Sequence, residues 1–303
     1  MPISISPPFM SLDTPALRST LGGSLKPGDP RRFLIEAMVG AMHADGEVDD
    51  RELRALRNML ERHDLFAALP WETAKMLIDL STDAIAFAGS AEHRIPVMAR
   101  HLRWRIERLA AFAMACEVCA ADDVIVEREQ RYLTALRIAL RVDHREHDEL
   151  MVSVRAGRAL QWLEAETRRI REQMPLLAEL MVLRRWSTGS MTQEDLADIQ
   201  TSIAGLRDFG TSEQQVGQVV AEVAQHARLW SSAETQIARI AARLPHPSDR
   251  YWITVYLLTD EVRRGRERWR SNELLLTLAA ELRFGELQME LALNDATQLA
   301  AAR

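Results

Sequence analysis

From Arg31 onward, apolar residues recur at the 3.6-residue interval of an α-helix. Phe33, Ile35, Met38, Val39 and Met42 fall on one side of a first helix, and Leu53, Leu56, Met59 and Leu60 fall on one side of a second. The same period predicts helices near 70–88, 91–120 with an interruption at Trp104, 127–141, 144–172, 175–186, 192–207, 212–229, 232–243, 249–263 and 271–283. Pro175 ends one helix or starts the next. Strand-type alternation is essentially absent, so the predicted fold is all-α. Residues 1–30 are rich in Pro, Gly and Ser without a sustained apolar period, which predicts a flexible N-terminal arm.

The junctions between helices repeat. "ADGEVDDREL" (44–53) lies over "ADDVIVEREQ" (121–130) without a gap: Ala44 on Ala121, Asp45 on Asp122, Val48 on Ile125 and Glu52 on Glu129. "STGSMTQEDL" (187–196) keeps Gly189 for Gly46 and Met191 for Val48, and "GRERWRSNEL" (265–274) sets Trp269 on Ile125 and Glu273 on Glu129. The first two copies are 77 residues apart and the last two 78, and the second pair follows the first by 143 or 144. This regularity predicts two tandem helical bundles, each built from two related halves, over 31–150 and 175–290. Residues 151–174 are then a connecting helix and 291–303 a C-terminal tail.

The acidic residues of the first two copies support two accounts. In one, Gly46 and Asp45 form a tight turn, and Asp49 with Glu52 caps the following helix, as Thr192 with Asp195 does in the third copy. In the other, "DGEVDDRE" is the second half of a calcium loop, with an Asp before the Gly, a hydrophobe two after it and a Glu six after it. The first half of such a loop is missing, because Ala41 and His43, or Val118 and Ala120, stand where oxygen ligands belong. One half-loop offers too few oxygens for Ca²⁺. Two half-loops packed about a pseudo-twofold axis would place Asp45, Glu52, Asp122 and Glu129 around one hard divalent cation, with Asp49 and Asp123 nearby.

The paired A-D-G/D-x-hydrophobic-x-x-x-E motifs, about 77 residues apart in an all-helical segment, resemble the tellurite-resistance TerB-like proteins. The resemblance covers residues 31–145, with 175–290 as a degenerate copy. It implies a bundle of about seven helices, an acidic cluster proposed to bind a divalent cation such as Ca²⁺, and a role in bacterial chemical-stress or phage-defence systems. By position the cluster falls on Asp45, Glu52, Asp122 and Glu129. The chain departs from the pattern at Asp123, where Gly is expected. In the second bundle Thr188 replaces Asp45 and Arg266 replaces Asp122, so a cation is not expected there.

Composition narrows the function. A net charge of -6 gives no overall field to gather nucleic acid or an anionic membrane. The longest near-apolar run, 109–121, is short and contains Glu117, so no membrane span is expected, and the N-terminus lacks a basic n-region and an apolar h-region. Cys116 and Cys119, three residues apart in one helix, predict buried reduced thiols and a cytoplasmic protein. No nucleophile elbow, phosphate-cradling glycine loop or H-E-x-x-H helix is present, and the chain is expected not to be an enzyme.

Two basic stretches remain. Arg263, Arg264, Arg266, Arg268 and Arg270 beside Trp269 form a candidate partner-binding patch for an acidic protein surface, a second copy of the chain included, while Trp269 fills a core position. Arg100, Arg103, Arg105 and Arg108 wrap around a helix and predict a solvated face. His144 and His147 lie among acids at a polar helix start. The expected function is a non-enzymatic binding or adaptor protein, and the rival a metal-free scaffold within a larger assembly.

Overall fold

The computed structural model describes residues 29–301, apart from 45, 47–49, 64, 65, 67, 68, 122, 123, 190 and 266–268 and from the side chains of Asp50, Glu52 and Arg62. The expected N-terminal arm lies outside the described residues but for its last two. Among the described residues there are helices and no strands, and no helix is long and apolar enough to cross a membrane.

Helix α1 (Pro30–Met42) starts where the Asp29 carboxylate accepts the Arg31 backbone N–H at 2.9 Å and Pro30 takes the first helical position. Every residue from Phe33 to Met42 is buried, so α1 is enclosed on all sides, where the sequence predicted one buried face. Its neighbours explain this, because α3 (Trp71–Ala88), α4 (Ile95–His101) and α5 (Arg105–Cys119) all pack against it. Helix α2 (Asp50–Arg62) packs on α5 and α1. All of α5 but Glu117 is buried. The break near Trp104 falls where expected, between α4 and α5. Helix α6 (Glu127–Ala139) is anchored by Tyr132, whose hydroxyl donates to Ala37 O at 3.0 Å.

The single helix predicted over 144–172 is two, α7 (His144–Arg155) and α8 (Ala159–Glu172). Gly157 turns the chain at φ +65°, and the Gly157 and Arg158 N–H groups close the end of α7 on Val154 O and Ser153 O. Both helices pack against α5. Then follow α9 (Met174–Trp186), α10 (Gln193–Ala204), α11 (Glu213–Ala227), α12 (Ala233–Ala242), α13 (Pro247–Arg263), α14 (Glu273–Glu281) and α15 (Glu286–Ala300). Helices α9 and α13 are the enclosed pair here, and α15 lies along α13. Residues 291–300, expected as a tail, are thus part of a helix that buries Ala292, Asp295, Ala296 and Leu299. Two of its inward positions are alanine, which weakens the apolar signal.

The buried apolar side chains form one cluster from Phe33 to Leu299. Charged residues cross between its two ends. Arg105 and Arg108, expected on a solvated face, are buried because their partners come from far along the chain. Arg105 Nη2 donates to Glu146 at 2.9 Å, Asp249 at 3.0 Å and Ser248 at 3.2 Å. Arg108 donates to both oxygens of Asp295 and lies over the Trp252 ring at 5.0 Å. Asp208, in a one-turn helix after α10, accepts the N–H groups of Arg105 and Ile106 at 3.0 Å each, so a residue about a hundred positions away caps α5. Tyr256 OH donates to the same carboxylate at 2.6 Å.

Candidate functional site

The two acidic motifs begin at the C-terminal ends of α1 and α5, and these ends are built alike. The His43 N–H bonds to Val39 O and the Ala44 N–H to Ala41 O. Seventy-seven positions on, the Ala120 N–H bonds to Cys116 O and the Ala121 N–H to Val118 O. The junctions after α9 and α13 repeat the pair, with the Ser187 N–H on Leu183 O and Thr188 on Arg185 O, then Arg264 on Asp260 O and Gly265 on Val262 O. The turn is therefore set by the backbone and survives the loss of the acids.

Gly46 has φ +89°, a conformation that costs a side chain energy, and its N–H closes on His43 O at 3.3 Å. The two motifs approach one another at this point: a Cβ built on Gly46 would lie 3.8 Å from Arg128 Nη1, which belongs to the second motif. Of the candidate ligands, Asp45, Asp49, Asp122 and Asp123 and the side chain of Glu52 lie outside the described residues. Glu129 is buried, and its Oε2 accepts the Val126 N–H at 2.7 Å at the start of α6. The sequence suggests that capping role for Glu52, the counterpart of Glu129 in the first motif, and Thr192 with Asp195 completes the reciprocal version at α10. Among the described residues, no three His, Cys, Asp or Glu side chains gather as a metal site requires.

Glu117 lies in the last turn of α5, just before the second motif. Burial pushes its carboxyl up to about 7. On its flanks, the thiols of Cys116 and Cys119 are buried, and burial pushes the Cys116 thiol well above the ordinary range, which leaves it unreactive. The raised Glu117 value means that the folded chain holds its proton more tightly than the unfolded chain does. This contribution to stability is complete below about pH 4.5 and is lost as the pH rises through 7. In chelator-treated protein, the stability of Glu117→Gln relative to the wild type is expected to rise by about 2 kcal/mol between pH 5 and pH 8.5, read from urea midpoints. Equal differences at both pH values would reject this assignment.

The arginine patch is largely spoken for within the chain. Arg264 pairs with Asp260 and Asp198 at 3.1 Å each, and Arg270 with Glu286 and with Glu290 at 2.9 Å. Arg263 lies beside Gly205, while Arg266 and Arg268 are outside the described residues. Trp269 is buried, as its place in the repeat predicts, and donates from Nε1 to Glu290 at 3.0 Å. The start of α7 is a reciprocal cap between Asp143 and Glu146, and His147 Nδ1 contacts Asp148 at 2.8 Å, so the histidines sit at a polar helix start as expected.

Sequence reasoning missed the buried Arg105–Glu146–Asp249 network. Its one signal was charge at positions 105 and 108 of an otherwise apolar helix. It also missed a cleft beside Glu261. Compared with known proteins, residues 31–152 match the family model described as tellurite resistance protein TerB. No curated protein and no solved structure matches the chain.

Proposed function

Starting from the membership of residues 31–152 in the TerB family, we propose that the chain is a non-enzymatic adaptor of a bacterial stress-response or defence system, switched by a divalent cation held between its two acidic motifs. The observation that carries this reading is the approach of the motifs at Gly46 and Arg128. It supports pooling the half-loop acids Asp45, Glu52, Asp122 and Glu129 around one hard cation, Ca²⁺ in the first place. The second half of the chain is then a degenerate copy that keeps the turn and lacks the leading Asp of each motif, and it serves protein–protein contact. The four repeated turns and the enclosed pair α9 and α13 support that division.

Thermal unfolding tests the cation. With a cation at about a hundredfold over its dissociation constant, the wild type should gain about 2.7 kcal/mol over chelator-treated protein. The Asp45→Asn/Asp122→Asn double variant should gain nothing. Equal unfolding with cation and with chelator sinks the reading.

One observation favours the metal-free scaffold instead: Arg128 brings a fixed positive charge to the first motif. On that account the guanidinium takes the cation's place and Arg128→Ala destabilises the domain. On the first account, the same substitution tightens cation binding.

A further inference from the structure

A cleft of about 580 Å³ opens where the C-terminal ends of α9 and α13 meet the N-terminal ends of α12 and α14. Glu261, in the last turns of α13, forms part of its wall and is 1 % exposed. Neither of its carboxylate oxygens accepts a hydrogen bond. The nearest cations are Arg184 Nε at 3.4 Å and Arg185 Nη1 at 3.9 Å, and Arg185 already gives its Nη2 to Asp260 at 3.0 Å.

This sets Glu261 apart. Among the described residues, every other buried carboxylate takes at least one hydrogen bond, as Glu36 does from Arg94, Glu146 from Arg105 and Asp295 from Arg108. Arg184 Nε and Arg185 Nη1 find no acceptor either, so the two guanidinium groups balance the charge of Glu261 without filling its lone pairs, which a donor entering the cleft can take.

The other groups in the wall say which donors fit. Ser187 and Thr188 spend their hydroxyl protons on Arg184 O and Arg185 O, at 3.0 and 2.7 Å, and so offer the cleft only lone pairs. Among the described residues Glu234 and Glu273 also line it, which makes three carboxylates with Glu261 beside the guanidinium of Arg184, with Arg185 3.9 Å from Glu261. At the two helix starts one N–H each is already taken, that of Thr235 by Ser232 and that of Leu275 by Asn272. Ile237 and Leu274 supply an apolar side.

We propose that this cleft binds a protonated amine or guanidinium group, whose N–H donors satisfy Glu261, while the carbon chain that carries it packs on Ile237 and Leu274. The ligand is a free small polyamine or the Lys or Arg side chain of a protein partner. The cleft is independent of the cation site in the first half.

The test uses full-length protein with ¹³C-labelled Ile and Leu methyl groups. It is titrated separately with spermidine, N-acetyl-arginine amide and N-acetyl-lysine amide, with phosphate and Mg²⁺ as controls. The expected result is a saturable shift of the Ile237 and Leu274 methyl signals with at least one organic cation, weakened about tenfold or more in Glu261→Gln. Thr277→Arg, which fills the cleft from its rim, should block the same shifts and covers the case in which Glu261→Gln fails to fold. Strongest binding of spermidine points to a free polyamine, and of an amino-acid amide to a partner's side chain. The proposal is overturned by no shift up to about 10 mM of any organic cation. It is equally overturned if binding is undiminished in both variants, or if phosphate or Mg²⁺ binds more tightly than every organic cation.

Discussion

Arg105→Ala is expected to lower folding stability by about 4 kcal/mol, as a shift of the urea midpoint with little change in its slope. The Arg105 guanidinium is buried at the N-terminal end of α5 and gives one nitrogen to Glu146, Ser248 and Asp249. Burial pushes the Asp249 carboxyl up, but Arg105 and Arg169 outweigh it and hold the group below its ordinary range. Without Arg105, the carboxylates of Glu146 and Asp249 share what remains, chiefly Arg169. Breaking a buried ion pair from one side costs more than the pair is worth, because the surviving charges stay in a poor solvent. The substitution also separates two accounts of the molecule. If the halves were independent bundles, the second would keep its own transition. If they are fused through this network, both melt together, and a single cooperative transition at lower urea is the expected outcome. A loss under about 1 kcal/mol would show that the network is dispensable.

Gly40→Ala should cost about 3 kcal/mol by a different route. Gly40 lies in α1, where alanine would ordinarily stabilise a helix. Its added Cβ would fall 2.3 Å from Tyr132 Oη and 2.8 Å from Cζ, and Tyr132 is fully buried with its hydroxyl on Ala37 O. The ring must move, and the hydrogen bond is lost with it. Tyr132→Phe alone should cost about 1 kcal/mol, and the double variant should cost less than the two single changes together, because both act on the same contact. A neutral or stabilising Gly40→Ala, measured by thermal or urea unfolding, would contradict the packing of α6 on α1.

Much of this architecture is legible in the chain. The 3.6-residue period marks most helices, the break near Trp104 and the cap at Thr192, because these depend on residues a few positions apart. The fourfold turn is legible for the same reason: it is a backbone device, and alignment of the motifs finds it. What fails is what depends on distance along the chain. Arg105 and Arg108 look solvated until Glu146, Asp249 and Asp295 arrive beside them. The end of α7 falls at Gly157, where the chain turns at φ +65° between two helices that the sequence reading joins into one. Helix α15 lies wholly beyond the last predicted helix, 271–283, and its weak signal comes from the alanines at 292 and 296 that face the core. Of the proposed acidic site, sequence pairs the motifs and the fold brings Gly46 and Arg128 together, while Glu129 caps α6 at Val126, three residues before it.

The central claim is one shared cation site between two half-loops, and calorimetric titration of the chelator-treated full-length protein with Ca²⁺, Mg²⁺ and Mn²⁺ tests it most directly. The account predicts saturation at a single cation per chain for at least one of the three. It also predicts that either Asp45→Asn or Asp122→Asn alone weakens binding and that the double variant abolishes it, because both motifs contribute to the same ion. The absence of heat from every cation, or a single variant that leaves binding unchanged, would contradict it.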